Sequence, residues 1–203
     1  MMDNGALLPM FYLPPVEYFT VINQHKLNIL IEKHEHFPKQ TYRNRAHIYS
    51  PEGVLQLVVP VVKGSKVHTP IKDVRISNDF AWQRLHWMGL QSCYRRSAYF
   101  EFYEDDFAHF YEKQFNHLFH YNEELLQMIL KFLKVQVKLT YTDDYHRDQA
   151  KLIDYRNILH PKKDAVIEQK PYFQVFEERK GFLRNLSIVD LLFNQGPQSV
   201  HYL

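Results

Sequence analysis

Arg43 and Arg45 are the residues in this chain whose type and spacing best suit chemistry. Within Thr41–Ser50, two-residue alternation puts Arg43, Arg45, His47 and Tyr49 on one face of a strand, with Tyr42, Asn44, Ala46 and Ile48 on the other. A guanidinium is a planar, permanently charged fork, and two on one strand face can converge on a single phosphate or carboxylate. The competing reading is a solvated strand edge kept basic against unwanted pairing. The pair belongs to a wider basic window, residues 39–100, in which Lys39, Arg43, Arg45, Lys63, Lys66, Lys72, Arg75, Arg84, Arg95 and Arg96 oppose only Glu52, Asp73 and Asp79. The whole chain carries only +2, so the charge is concentrated where an anionic group would be met.

Other residues invite weaker readings. Arg84 and Arg95 stand eleven apart on a helix, about 16 Å along its axis, and so suit opposite ends of an extended ligand rather than one phosphate. Asp190 is an acid inside an otherwise apolar helix and is the candidate general base. Tyr42 and Trp82 could stack a base or a sugar. His34-Glu35-His36 has a spacing that can suit a metal but lacks an identifiable third ligand, so no metal is assigned. His117 and His120, three apart on a helix, read as surface residues. Cys93, a lone cysteine on an apolar stripe, reads as packing. No P-loop, GxGxxG, GxSxG, HExxH or paired CxxC occurs, which counts against the commonest nucleotide, hydrolase and zinc classes.

The elements that must position these groups follow from periodicity. Ala6–Tyr12 reads as a short buried strand, Pro15 opens a short helix with Val16, Phe19 and Ile22 at helical spacing, and Leu27–Ile31 is a second strand. Together they suggest a βαβ unit. Ser50-Pro51-Glu52-Gly53 is a turn joining the arginine strand to Val54–Val62, which is apolar on both faces and predicts an interior strand. A further strand is expected at Ile71–Ile76, then a helix over Phe80–Tyr94 capped by Ser77 or Asn78. Helices are expected at Glu104–His120 and from Asn122, strands around Val135–Leu139 and at Tyr172–Phe176, and a last helix between Asn185 and Gly196. The polar stretch 143–170 reads as a mobile loop segment. The class is α/β: one domain over 1–203, with a mixed sheet flanked by amphipathic helices.

Composition fits a globular domain: 14 Tyr, 15 Phe and 2 Trp, with few glycines. One cysteine excludes an internal disulfide, the N-terminus is a poor secretory leader, and no apolar run is long enough for a bilayer span. A cytoplasmic location is expected.

Taken together, Tyr12-Leu-Pro-Pro-Val-Glu-Tyr-Phe19, Tyr42-Arg-Asn-Arg45, the hairpin into Val-Pro-Val, Asp73-Val-Arg-Ile76, Trp82-Gln-Arg84, Tyr94-Arg-Arg-Ser-Ala-Tyr-Phe100 and Asn185–Gly196 resemble the WbqC-like protein family, in its Bacteroidetes-type branch. The family's Asp-Asp-Val-Gln-aromatic motif is replaced here by Lys33-His-Glu-His-Phe37. The resemblance implies a transferase in O-antigen-type surface polysaccharide biosynthesis, with glycyl transfer to an amino sugar as the suggested reaction. A nucleotide-activated or lipid-linked sugar would be the substrate, and no cofactor is assigned. Arg43, Asn44, Arg45, Arg75, Trp82, Arg84, Tyr94, Arg95 and Ser187, with Tyr42, are its expected binding residues and Asp190 its base. A nucleotide would then sit at the carboxyl ends of the first strands. Two alternatives stay open: a nucleic-acid-binding protein, for which +2 is a low charge, and a non-enzymatic partner in a polysaccharide assembly complex. Oligomeric state is open as well.

Overall fold

In the computed structural model, which describes residues 5–62, 68–148 and 151–203, the chain folds around one apolar cluster. Strand β1 (Ala6–Pro9), helix α1 (Val16–Gln24) and strand β2 (Ile29–Glu32) form the anticipated βαβ unit, with Ala6 opposite Ile29 and Leu8 opposite Ile31 in parallel register. Every β1 side chain is buried, which is why its apolar run lacks alternation: it lies inside a parallel sheet. The sheet is completed by β5 (Leu139–Tyr141) beside β2 and β6 (Ile153–Asp154) beside β1, in the order β5-β2-β1-β6. A separate antiparallel pair, β3 (Arg45–Ser50) and β4 (Gly53–Val58), makes the hairpin. The α/β class holds, with parallel and antiparallel pairing divided between two sheets.

Helices α2 (Trp82–Tyr94), α3 (Phe100–Glu112), α4 (Leu118–Phe132) and α6 (Ile188–Gln195) surround these sheets, with a single-turn α5 at Glu177–Lys180. Helix α6 begins and ends as its sequence demands. Ser187 Oγ accepts from the Val189 amide, and Gly196 leaves the helix at φ 52° against the Tyr99 ring, where a β-carbon would collide.

Several expectations are corrected. Ile71–Asp73 is a 3₁₀ turn, and only isolated bridges, Val61 with Ile76 and Arg75 with His117, follow it. The helix expected over Glu104–His120 breaks after Glu112, because the segment to His117 is extended and the Asn116 carbonyl accepts from Ile76 N. Tertiary pairing there overrides local propensity. Helix α2 starts at Trp82 with Ala81 in the cap position and no side-chain cap, since Ser77 Oγ donates instead to Asp79 (2.6 Å). Strand β5 begins only at Leu139, and Tyr172–Phe176 forms no strand: Gln174 holds it by bonding to Leu183 N and O. Strand β4 is an edge, with Val54, Leu55 and Val58 partly exposed, not an interior strand. Within 143–170, Ile153–Asp154 pairs with β1, and Arg156 is buried on Glu32 and Asp154; residues 149–150 lie outside the described chain.

Candidate ligand cleft on the hairpin

The hairpin's tight turn fixes which residues share a face. Ser50 pairs with Gly53, whose φ of 111° suits glycine, and the register runs Tyr49–Val54, His47–Gln56, Arg45–Val58. Ala46, Ile48 and Leu57 turn inward and are buried. Arg45, His47 and Gln56 lie together on the opposite face. Arg45 Nη1 donates to Gln56 Oε1 (3.3 Å), which leaves the Gln56 amide nitrogen to donate to His47 Nε2 (3.0 Å). With Nε2 accepting, the neutral imidazole carries its proton on Nδ1. Burial, and then the Arg45 charge, depress the His47 pKa, so this neutral form dominates at pH 7. The Tyr42 ring meets His47 edge to face at 5.6 Å.

Over this face lies a cleft of about 550 Å³. Tyr42 and His47 line one wall, and Lys163, Glu168, Arg184 and Asn185 are among its other lining residues. Arg184 forms no ion pair or hydrogen bond among the described residues, and Lys163 Nζ donates only to the Asn157 carbonyl (2.8 Å). Asp164 and Glu168 supply the carboxylates of the cleft. Its base is held by a reciprocal pair: Asn185 Nδ2 donates to Glu17 Oε1 (2.7 Å), while Glu17 N donates to Asn185 Oδ1 (3.1 Å). Burial raises the Glu17 pKa, against the lowering effect of the Asn185 and Val166 hydrogen bonds. Chemically this is a donor-rich pocket with two cations, a neutral histidine and carboxylates within one opening.

Most residues anticipated from the sequence lie elsewhere. Arg43 precedes the strand and is 1% exposed, clamped bidentately on Glu35 (2.6 and 2.7 Å), donating to the Arg156 carbonyl and lying over the Phe11 ring. It therefore shares no face with Arg45. Asn44 donates to the Val59 carbonyl beside β4. Trp82 is core, edge-on to His86 and Tyr121, and Tyr94 is core too, its hydroxyl accepting from Tyr49 N and donating to Asp190. Ser187 caps α6 and donates to the Leu13 carbonyl. Arg75, Arg84 and Arg95 are exposed, and Arg95 is paired with Glu104. Arg84 and Arg95 line no part of this cleft, and Lys63 and Lys66 lie outside the described residues.

Asp190 is 0% exposed and accepts from Tyr94 Oη (2.9 Å), Tyr172 Oη (2.7 Å) and Gln174 Nε2 (2.8 Å). Burial pushes its pKa up to about 6 despite those three donors. Sealed among its donors, it ties α2, α6 and the 172–174 segment together. Among the described residues no group of three or more His, Cys, Asp or Glu is placed to hold a metal ion. Lys163, Glu168 and Arg184 escaped sequence reading because they sit in aperiodic segments, where only convergence in space marks them. Asn185 showed in the sequence only as a start of the last helix; the structure adds its φ of 54°, a conformation that Asn tolerates better than most residues.

The WbqC-like protein family model matches residues 10–166. The chain belongs to that family. An uncharacterized protein of Mycobacterium tuberculosis, Rv1507c, is 25% identical over 228 aligned residues, covering 100% of this chain and 98% of the relative. No solved structure matches. The WbqC-like match takes in the hairpin wall of the cleft and Lys163, and stops short of Glu168, Arg184 and Asn185. No helix among the described residues is long and apolar enough to cross a membrane.

Proposed function

We propose that this WbqC-like protein is a cytoplasmic group transferase that binds an anionic sugar derivative, nucleotide-activated or lipid-linked, in the cleft over the hairpin. The observation that carries the reading is the meeting of Arg184 and Lys163, neither in an ion pair among the described residues, with neutral His47 in one opening. Arg184 and Lys163 take the phosphate or carboxylate, and His47 Nδ1–H donates to a ligand oxygen. Tyr42 offers its ring edge to the sugar or base. In the transfer, the amine of an amino sugar attacks the carbonyl carbon of an activated glycyl donor. The C–N bond forms, the bond to the leaving group breaks, and the amine proton passes to Glu168 or Asp164. Asp190 serves positioning, because it is closed off from the cleft's solvent.

Titration calorimetry with nucleotide sugars tests this. Arg184→Ala is expected to weaken binding at least tenfold, on the order of the 1.5–3 kcal/mol of a charge-assisted hydrogen bond, while Arg84→Ala leaves it unchanged. Equal loss in both variants, or no binding of any anionic sugar by the wild type, defeats the assignment.

A further inference from the structure

Strand β4 has one closed side and one open side. Because Ser50 and Gly53 flank a two-residue turn, the hydrogen-bonded pairs of the hairpin are Ser50–Gly53, Ile48–Leu55 and Ala46–Leu57. The backbone groups of Val54, Gln56 and Val58 therefore point away from β3. On β3 the corresponding outward groups are satisfied, since Tyr49 N donates to Tyr94 Oη (3.0 Å) and the His47 carbonyl accepts from Ser187 N (2.7 Å). On β4 only the Val58 carbonyl is met, by the His86 ring; Val54 and Gln56 have no backbone partner among the described residues.

Edges left open in monomers are usually blunted by lysine, proline or an inward charge. Gly53-Val-Leu-Gln-Leu-Val58 contains none of these. Its flank is apolar as well: a groove of about 300 Å³ separates β4 from α2, and Phe80 (54% exposed) and Leu85 (60% exposed) stand on its rim with Leu55 and Val58. The occupant is indicated by the strand itself. Val54-Leu-Gln-Leu-Val58 reads identically in both directions. Set antiparallel to a copy of itself about a two-fold axis at Gln56, it places Val54 opposite Val58, Leu55 opposite Leu57 and Gln56 opposite Gln56. The Gln56 amide and carbonyl, the Val54 carbonyl and the Val58 amide then each face a free group of the other chain, and only the Val58 carbonyl, already met by His86, is shared.

We propose that this chain forms a two-fold dimer through β4, making a continuous four-stranded antiparallel sheet, with Phe80 and Leu85 covered beside it. One face of that sheet carries the Arg45–Gln56–His47 chains of both copies, so the His47 and Val54 side chains that line the two clefts lie on the same side of it. This inference rests on the strand and its flank, and stands independently of what the cleft binds.

Light scattering coupled to gel filtration of the full chain is expected to give a dimer mass. Gln56→Pro removes an amide that makes no bond within the hairpin, so it should yield a folded monomer, as should Leu85→Glu. Register is read by cross-linking. Under mild oxidation Gln56→Cys should give a covalent dimer, because facing hydrogen-bonded residues lie about 5.5 Å apart, within disulfide reach. Val54→Cys mixed with Val58→Cys should cross-link, whereas either alone should not; native Cys93 is buried and supplies no background. A monomeric wild type overturns the proposal. So does a dimer that survives both Gln56→Pro and Leu85→Glu and fails to cross-link through position 56.

Discussion

Asp190 and His86 are buried titrating groups whose effects on stability oppose each other, and separating them tests the electrostatic reading of the core. Asp190 is pushed up from 3.8 to about 6 by burial, and His86 is pushed down from 6.5 to about 4 by burial. A raised carboxyl means that the folded state binds the extra proton. Its contribution is full below the unfolded value and is lost as pH rises through about 6. A depressed histidine does the reverse: its contribution is present above 6.5 and is lost as pH falls toward about 4. Going from about pH 7 to about pH 5, Asp190 should add roughly 1.5 kcal/mol and His86 should remove roughly 2 kcal/mol, so the wild type changes little on their account. Asp190→Asn removes the gain and should leave a protein that weakens steeply on acidification. His86→Gln, which keeps an acceptor for Tyr12 Oη, removes the loss and should leave one that strengthens. Urea denaturation of the three proteins at the two pH values gives the differences directly. Glu17, Glu35, His47 and His160 also shift but remain in all three and cancel in the comparison. If Asp190→Asn keeps the wild-type pH dependence, the carboxyl does not titrate in this range and the reasoning fails.

Arg43→Met should cost about 3–5 kcal/mol by leaving Glu35 charged and unpaired, and Arg43→Met with Glu35→Leu should recover most of it; denaturation midpoints decide. Gly196→Ala should destabilise by about 1–3 kcal/mol in thermal melts, because its β-carbon meets the Tyr99 ring at a positive φ. Asn185→Gly loses the Glu17 hydrogen bonds alone, whereas Asn185→Ala also places a β-carbon at φ 54° and should be less stable than the glycine variant by about 1 kcal/mol, measured in urea.

What the sequence revealed followed periodicity and punctuation. The βαβ unit, the turn at Ser50–Gly53, α2 and the Ser187-to-Gly196 limits of α6 all carry strong local signals, and all are present. What it hid were features fixed by distant partners. The break between α3 and α4 exists because Asn116 and His117 pair with Ile76 and Arg75, contacts that no local window contains. The two-residue β6 is too short to show any period. For the site, alternation placed Arg45, His47 and Tyr49 on a common face correctly. It carried Arg43 along only because the strand was assumed to begin before Arg45, where the chain instead dips toward Glu35. Burial was the quantity that residue type could not supply, and it moved Trp82, Tyr94 and Asp190 from the ligand to the core.

Those buried charges also bear on where a ligand can go. In open parallel sheets the crevice at the strands' carboxyl ends is the usual binding place, and here it would lie past Pro9 and Asp154, between β1 and β6. Protein charges meet at that end instead. Arg156 links Glu32 at the end of β2 (2.9 Å) to Asp154 at the end of β6 (2.7 Å), and also bonds the His146 and Arg147 carbonyls. Arg43 joins the cluster through Glu35 and the Arg156 carbonyl. A ligand phosphate entering there would have to displace carboxylates that already fill both guanidinium forks, leaving them buried and unpaired, a cost of several kcal/mol each. The hairpin cleft imposes no such exchange, because Arg184 has no protein anion to surrender among the described residues. Arg43, half of the pair that looks most like a phosphate site in the sequence, is thus not free to bind, and Arg184, which forms no ion pair among the described residues, lies in a segment without a pattern.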